Sequence, residues 1–179
     1  MTITIALKTV VCDSEIKEIG VIADTHIPTR ALHMPRRLFE LLAGVQLMLH
    51  AGDLVDEKVL EELQAIVPVE AVAGNMDPMH LKKSLGRLKL IKVGPVAIGL
   101  LHGDSSGHNI SFDRVSELFH PAQLQAVVFG HLHEPMVKLH DGILYFNPGS
   151  ATDPRRASKP SCGRLLISGS QISGEILYL

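Results

Sequence analysis

The sequence predicts a mixed α/β fold, parallel in its first half and antiparallel later, and three observations predict it. Between residues 19 and 73, short apolar runs alternate with segments of helical spacing, the signature of βαβ units. From residue 87 onward, apolar runs come in pairs joined by Gly94-Pro95, Asp141-Gly142 and Gly169-Ser170-Gln171, the signature of hairpins. Five of the predicted strands then break into Asp, Asn or His beside glycine: IGVIADTH (19–26), LMLHAGD (47–53), VEAVAGN (69–75), IGLLHGD (98–104) and VVFGHLH (127–133).

Taken in order, MTITIALKTVV has neither a basic leader nor a small-residue cleavage site, so residues 1–17 are expected as an extra strand or a loose arm. Ile19–Ile22 is a buried strand delivering Asp24 and His26. The loop 27–34 follows, with Thr29 and Arg30 as phosphate-side candidates. Pro35 suits the first turn of a helix running to Leu42, with Leu38, Leu41 and Leu42 on one face and Gly44 as its stop. Val45–Leu49 delivers His50 and Asp53, Leu54–Ile66 has helical spacing, and Val69–Ala73 delivers Gly74 and Asn75. Arg87–Val93 and Val96–Leu101 form a hairpin whose second strand delivers His102 and Asp104. Phe112–Phe119 is a short helix with Ser111 as its cap. Gln125–Phe129 ends in His131 and His133. Two late hairpins, Met136–Leu139 with Ile143–Phe146 and Leu165–Ser168 with Ile172–Leu179, flank a turn at Asn147–Ser150 and a polar loop, 151–161.

Composition narrows the function. A chain of 179 residues fits one domain, 1–179, with room for a closed core. With 46% apolar and 20% charged residues it is expected to be a soluble, cytoplasmic protein with no membrane partner. Cys12 and Cys162 are too few and too distant for a disulfide framework. A net charge of −2 and the absence of tryptophan disfavour a nucleic-acid partner.

Each strand-end cluster is weak alone, because Asp-x-His can satisfy its own loop and Gly-Asp is more often a turn. Together, Asp24, His26, Asp53, Asn75, His102, His131 and His133 offer seven oxygen and imidazole ligands and no thiolate. That is too many for one tetrahedral zinc, and it suits two divalent ions sharing a carboxylate, with manganese, iron, zinc or cobalt compatible. His50, ending an apolar strand, reads as a core or ligand-supporting histidine. Asp104 reads as an orienting group, and Arg30, Arg155 and Arg156 as exposed cations able to meet a phosphate. His33, His80, His108, His120 and His140 receive no role.

The order D-x-H, G-D, G-N, H-G-D, G-H-x-H over residues 24–133 resembles the calcineurin-like metallophosphoesterase superfamily. The short length, GNMD at 74–77 and Asn-Pro-Gly-Ser downstream resemble its small bacterial and archaeal phosphodiesterases, which are related to Vps29. The resemblance implies a four-layer α/β/β/α sandwich of two mixed sheets flanked by helices. It also implies two divalent metal ions (manganese first, with iron, zinc, cobalt or nickel as alternatives). One would be held by Asp24, His26, Asp53 and His133, the other by Asp53, Asn75, His102 and His131, with Asp53 bridging. The implied activity is hydrolysis of a small phosphodiester by a hydroxide bridging the metals, with Asp53, Asn75 and His102 as the catalytic residues. Many relatives carry histidine after the Asn of the third motif, and small bacterial ones often cysteine. Here Met76 stands there and can donate no proton, so modest turnover and good leaving groups are expected. Asp77 is a poor substitute as an acid and reads as part of an Asp-Pro turn. The alternative function is a Vps29-like interaction scaffold with a vestigial metal site. A homo-oligomer is compatible with either.

Overall fold

The computed structural model describes residues 7–104, 111–120 and 122–179. Its elements run β1 (Lys8–Cys12), β2 (Glu18–Ile22), α1 (Arg36–Leu41), β3 (Leu47–His50), α2 (Glu57–Gln64), β4 (Val69–Ala71), α3 (Met79–Leu85), β5 (Leu88–Val93), β6 (Val96–Leu101), α4 (Phe112–Leu118), β7 (Ala126–Val128), β8 (Met136–His140), β9 (Ile143–Asn147), β10 (Ser161–Ser168) and β11 (Gln171–Tyr178). No helix among the described residues is long and apolar enough to cross a membrane.

Two mixed sheets result, ordered β1-β5-β6-β7-β9-β8 and β11-β10-β2-β3-β4. Strands β2, β3 and β4 are parallel neighbours, as their alternation with helices predicts. The later half is less uniformly antiparallel than its hairpin turns imply. Strands β5–β6, β8–β9 and β10–β11 are antiparallel pairs, but β7 lies parallel to both β6 and β9. Turn residues report only on neighbours in sequence. The crossover through α4 from β6 to β7 sets a pairing that no turn encodes. Residues 8–12 form an edge strand parallel to β5, and residues 1–6 lie outside the described residues.

Runs buried on both faces explain the layering. Ile19, Val21, Leu47 and Leu49 from one sheet meet Ile91, Ile98, Val128 and Phe146 from the other in the central layer. Leu38, Val59, Leu63 and Leu81 of α1, α2 and α3 cover the outer face of the smaller sheet, and Val115 with Phe119 covers that of the larger. The architecture is the four-layer sandwich the family resemblance implies.

Strand β10 begins at Ser161 rather than Leu165, its extra residues pairing with β11 from Ser161 opposite Tyr178, and two helices also differ from the sequence reading. Helix α2 begins at Glu57 rather than Leu54, because Asp56 caps it by accepting from the Lys58 N–H at 3.0 Å. Leu54 and Val55 belong instead to the preceding loop, Val55 at φ +78° and bridged to Ile27. Helix α3 went unread, since MHLKKSL buries only Leu81 and shows too little apolar periodicity.

His50 is a core residue. It is fully buried, with Nε2 3.1 Å from the Thr25 hydroxyl and Nδ1 accepting from the Gly52 N–H at 3.2 Å. Burial, reinforced by the His102 charge, holds its pKa down to about 3.

The two sheets are keyed together by Phe146 of β9, whose ring occupies the space left by Gly163 of β10 and Gly174 of β11. A Cβ at either glycine would come within 2.3 and 2.6 Å of that ring. Gly163→Ala is therefore expected to destabilise the fold by about 1–3 kcal/mol, and pairing it with Phe146→Leu is expected to recover part of the loss. Denaturant unfolding of the single and double variants measures both effects, and additive losses would exclude the keyed contact.

Candidate metal centre

All seven residues singled out as ligands stand just beyond the C-terminal ends of strands. Asp24 and His26 follow β2, Asp53 follows β3, Asn75 follows β4, His102 follows β6, and His131 with His133 follows β7. Because β2, β3 and β4 run parallel, as do β6 and β7, each sheet brings its own residues to one edge. The two edges meet.

Five of the seven side chains form a tight, buried cluster. Asp24 Oδ1 lies 3.5 Å from His133 Nε2 and 4.0 Å from both His26 Nε2 and His102 Nε2. Asp53 Oδ2 lies 3.3 Å from His102 Nε2 and 3.6 Å from His26 Nε2. His26 and His133 face each other through their Nε2 atoms at 3.2 Å. Two ligand groups emerge, Asp24–His26–His133 and Asp24–Asp53–His102, with Asp24 common to both. Asn75 joins the second through Oδ1, 3.1 Å from His102 Nε2. The His131 ring stands apart, its centroid 5.2 Å from that of His102. Its backbone N–H donates to Asp24 Oδ2 at 2.8 Å.

The imidazoles are turned by their far nitrogens. His102 Nδ1 faces the Ala51 carbonyl at 2.8 Å, and His133 Nδ1 donates to the Asp153 carbonyl. With Nδ1 carrying the proton, each Nε2 is left to face the cluster, the orientation that metal-ligating histidines take.

Electrostatically the cluster calls for positive charge. Burial pushes the Asp24 carboxyl up to about 7 against the lowering influence of His102. Burial would also raise Asp53, but the hydrogen bond and charge of His102 outweigh it and bring it down to about 2. Burial would lower His102, yet the Asp53 hydrogen bond and the Asp24 and Asp53 charges hold it up at about 9. His102 Nε2 thus stands between the Asp53 and Asp24 carboxyls, at 3.3 and 4.0 Å. His133, mainly through burial, falls to about 4. One atom stays unsatisfied: Asp24 Oδ1 is buried with no hydrogen-bond partner.

The backbone at this edge is strained and held. Asp24, His26, Asp53, His131 and His133 all have positive φ, between 45° and 71°, a conformation that side chains other than glycine adopt rarely. The glycines beside the ligands are there for close approach. A Cβ on Gly74 would lie 2.0 Å from Asp53 Oδ1, and one on Gly130 2.8 Å from Asp24 Oδ2.

Asp77 supplies the clasp and was underread as a turn residue. It is buried and accepts three backbone N–H bonds, from Asp53 at 3.0 Å, Val55 at 2.7 Å and Gly74 at 2.7 Å. It therefore locks the loop after β3 to the loop after β4. The turn at Asn147–Ser150 does the same on the other side. Asn147 Nδ2 donates to the Gly130 carbonyl at 2.9 Å and the Ser150 hydroxyl to the Asp24 carbonyl at 2.8 Å. Thr152 adds a bond to the Thr25 carbonyl at 2.6 Å. Thr152 and Asp153 went unnoticed in the sequence, their one signal being their place in the polar loop after Asn-Pro-Gly-Ser.

The remaining candidates fall outside the cluster. Thr29 Oγ1 donates to the His26 carbonyl at 2.9 Å, so that hydroxyl is engaged locally. Asp104 pairs with Arg87, which keeps its pKa low against the effect of burial. Arg30 and Arg155 converge on Asp153. His108 lies outside the described residues.

Comparison with known proteins bears on the fold and the family. The profile of the calcineurin-like phosphoesterase superfamily domain matches residues 18–170. A probable metallophosphoesterase of Methanothermobacter thermautotrophicus is 36% identical over 159 residues, which span 89% of this chain and 91% of that protein. The crystal structure of Chaetomium thermophilum Vps29 superposes with a TM-score of 0.73 at 23% identity, over 90% of this chain and 97% of that one. A structurally characterised archaeal phosphodiesterase superposes with a TM-score of 0.68 at 21% identity, over 89% and 99%. At these identities the two structures speak for the fold, whereas the profile match and the archaeal sequence relative speak for ancestry: the chain belongs to the calcineurin-like phosphoesterase superfamily.

Proposed function

We propose that this protein is a phosphodiesterase working with two divalent cations, manganese first among the candidates. Asp24, His26, Asp53 and His133 would hold one cation, and Asp53, Asn75, His102 and His131 the other. The observation that carries the reading is Asp24 Oδ1, a buried carboxylate oxygen without a hydrogen bond, facing three imidazole Nε2 atoms at 3.5–4.0 Å. Such an oxygen is costly to bury unless a cation meets it, and the oxygen-and-imidazole set fits hard to borderline divalent metals. Although Asp24 is common to both ligand groups, Asp53 suits the shared position that the family resemblance implies, because its Oδ2 stands closer to His26 and His102, at 3.6 and 3.3 Å, than Asp24 Oδ1 does, at 4.0 Å from each.

When bound, a pair of divalent cations neutralises phosphoryl oxygens and makes a water acidic enough to attack phosphorus at neutral pH. The side chains supply the rest. Asp24 and Asp53 provide the negative charge, and the carbonyls of Ala51 and Asp153 fix the orientation of His102 and His133. Asp77 keeps Asp53 and the Asn75 loop in register. Met76 occupies the place where many members of the superfamily carry a histidine that resembles a general acid or an oxyanion stabiliser. The leaving alcohol then departs without the about 10²–10⁴-fold help of a general acid at that position. Diesters of acidic alcohols are the favoured substrates. The archaeal phosphodiesterase of the same fold supports the diester assignment. The scaffold alternative finds its support in the likeness to Vps29, and the intact set of seven ligand residues weighs against it.

Metal-stripped protein supplied with Mn²⁺ is expected to hydrolyse bis-p-nitrophenyl phosphate faster than p-nitrophenyl phosphate, with Asp53→Ala losing that activity. Folded, metal-loaded protein that turns over neither ester would favour the scaffold. Asp77→Ala strands three buried N–H groups. It is expected to lower unfolding stability by about 3 kcal/mol and to weaken Mn²⁺ binding about 10–100-fold, while Asp77→Asn, which keeps one acceptor oxygen, loses less. An unchanged Mn²⁺ dissociation constant in folded Asp77→Ala, measured by calorimetry, would contradict the clasp.

A further inference from the structure

The mouth of the metal centre has two unlike sides. Beside His26 and His133, two arginines from distant parts of the chain converge on one carboxylate oxygen. Arg30 Nε lies 3.7 Å and Arg155 Nε 3.4 Å from Asp153 Oδ2. Asp153 is itself fixed, its N–H donating to the Ser150 hydroxyl at 2.9 Å and its carbonyl accepting from His133 Nδ1. The loop carrying Arg155 is tied to the Asp24 strand end through Ser150 and Thr152. Arg155 has φ +47°, a left-handed conformation that a non-glycine residue keeps only where its surroundings impose it.

One carboxylate shared by two guanidinium groups leaves N–H donors over for a further anion. Both arginines remain open to solvent, with side chains 63% and 46% exposed for Arg30 and Arg155. Arg155 is linked to the cluster through Asp153, whose Oδ2 lies 3.4 Å from Arg155 Nε and 3.8 Å from His133 Nδ1. The opposite side is apolar. Met76, whose N–H donates to Asp53 Oδ1 at 2.7 Å, and Met79 at the start of α3 are 57% and 65% exposed. Two exposed thioether side chains three residues apart, the first beside Asp53, form a surface for an apolar group.

We infer that Arg155, supported by Arg30, receives the non-esterified phosphoryl oxygens of the substrate, and that Met76 and Met79 form the shelf for its leaving arm. A guanidinium offers parallel N–H groups that match two phosphoryl oxygens, which a lysine ammonium does not. The substrate class that fits is a phosphodiester whose leaving arm is an apolar aryl group, which departs as an acidic alcohol. This inference rests on the phosphodiesterase reading, and inorganic phosphate, which needs no turnover, keeps the two separable.

The test is the dissociation constant of inorganic phosphate for Mn²⁺-loaded protein, measured by calorimetry alongside the bound-metal content and the KM for bis-p-nitrophenyl phosphate. Arg155→Asn keeps a residue that tolerates the left-handed backbone. It is expected to weaken phosphate about tenfold or more with full metal content, while Arg155→Lys recovers only part. Met76→Gln/Met79→Gln is expected to raise the KM and leave phosphate affinity unchanged, since phosphate has no leaving arm. Phosphate affinity within about twofold of wild type in Arg155→Asn with its metal intact would overturn the inference, as would a Met76→Gln/Met79→Gln variant that alters phosphate binding and not KM. A wild-type protein that binds phosphate through Arg155 yet turns over no diester would uphold the clamp and remove the phosphodiesterase reading. Full diesterase activity with an unmoved phosphate affinity in Arg155→Asn would do the reverse.

Discussion

Two carboxylates buried side by side govern this structure. Asp24 and Asp53 are shielded from water at the meeting edge of two sheets, with His26, His102 and His133 packed around them. Buried like charges are not tolerated without compensation. The raised pKa of His102 and the lowered pKa of Asp53 reflect that need for compensation, each group favouring the charge of the other. Two buried carboxylates facing three imidazoles make a cluster suited to positive charge.

The surrounding chain keeps that cluster in place. Five ligand-bearing residues sit in left-handed backbone, each a local cost of order 1–3 kcal/mol, and hydrogen bonds from the interior offset it. Asp77 gathers three N–H groups from two loops, and Asn147, Ser150 and Thr152 reach back to Gly130, Asp24 and Thr25. The glycines between ligands allow backbone to press against carboxylate where any Cβ would collide. Behind these loops, the Phe146 wedge holds one sheet against the other, and so one half of the centre against the other half.

The parts of this that were legible in the sequence are those with a local signal. Strands ending in Asp, Asn or His announced themselves by a sudden change of polarity, and their common position follows from parallel pairing. The layers follow from runs too apolar for one exposed face. Helix α3 was not legible, because its stability comes from one buried leucine and its neighbours rather than from a repeating stripe. Asp77 reads as a turn residue because two of the three bonds it accepts come from residues more than 20 positions away. Asp153 was hidden for a similar reason: its carbonyl, an atom every residue possesses, orients His133. The parallel pairing of β7 with β9 likewise depends on where a hairpin docks and not on its turn.

The claim on which the account depends is that one centre holds two cations with Asp53 between them. Anomalous scattering from a crystal grown with Mn²⁺ tests it most directly. The account predicts two peaks, one bordered by Asp24, His26 and His133, the other by Asn75, His102 and His131, each adjoining the Asp53 carboxylate. A single peak at saturating Mn²⁺, or two peaks that Asp53 does not join, would contradict it.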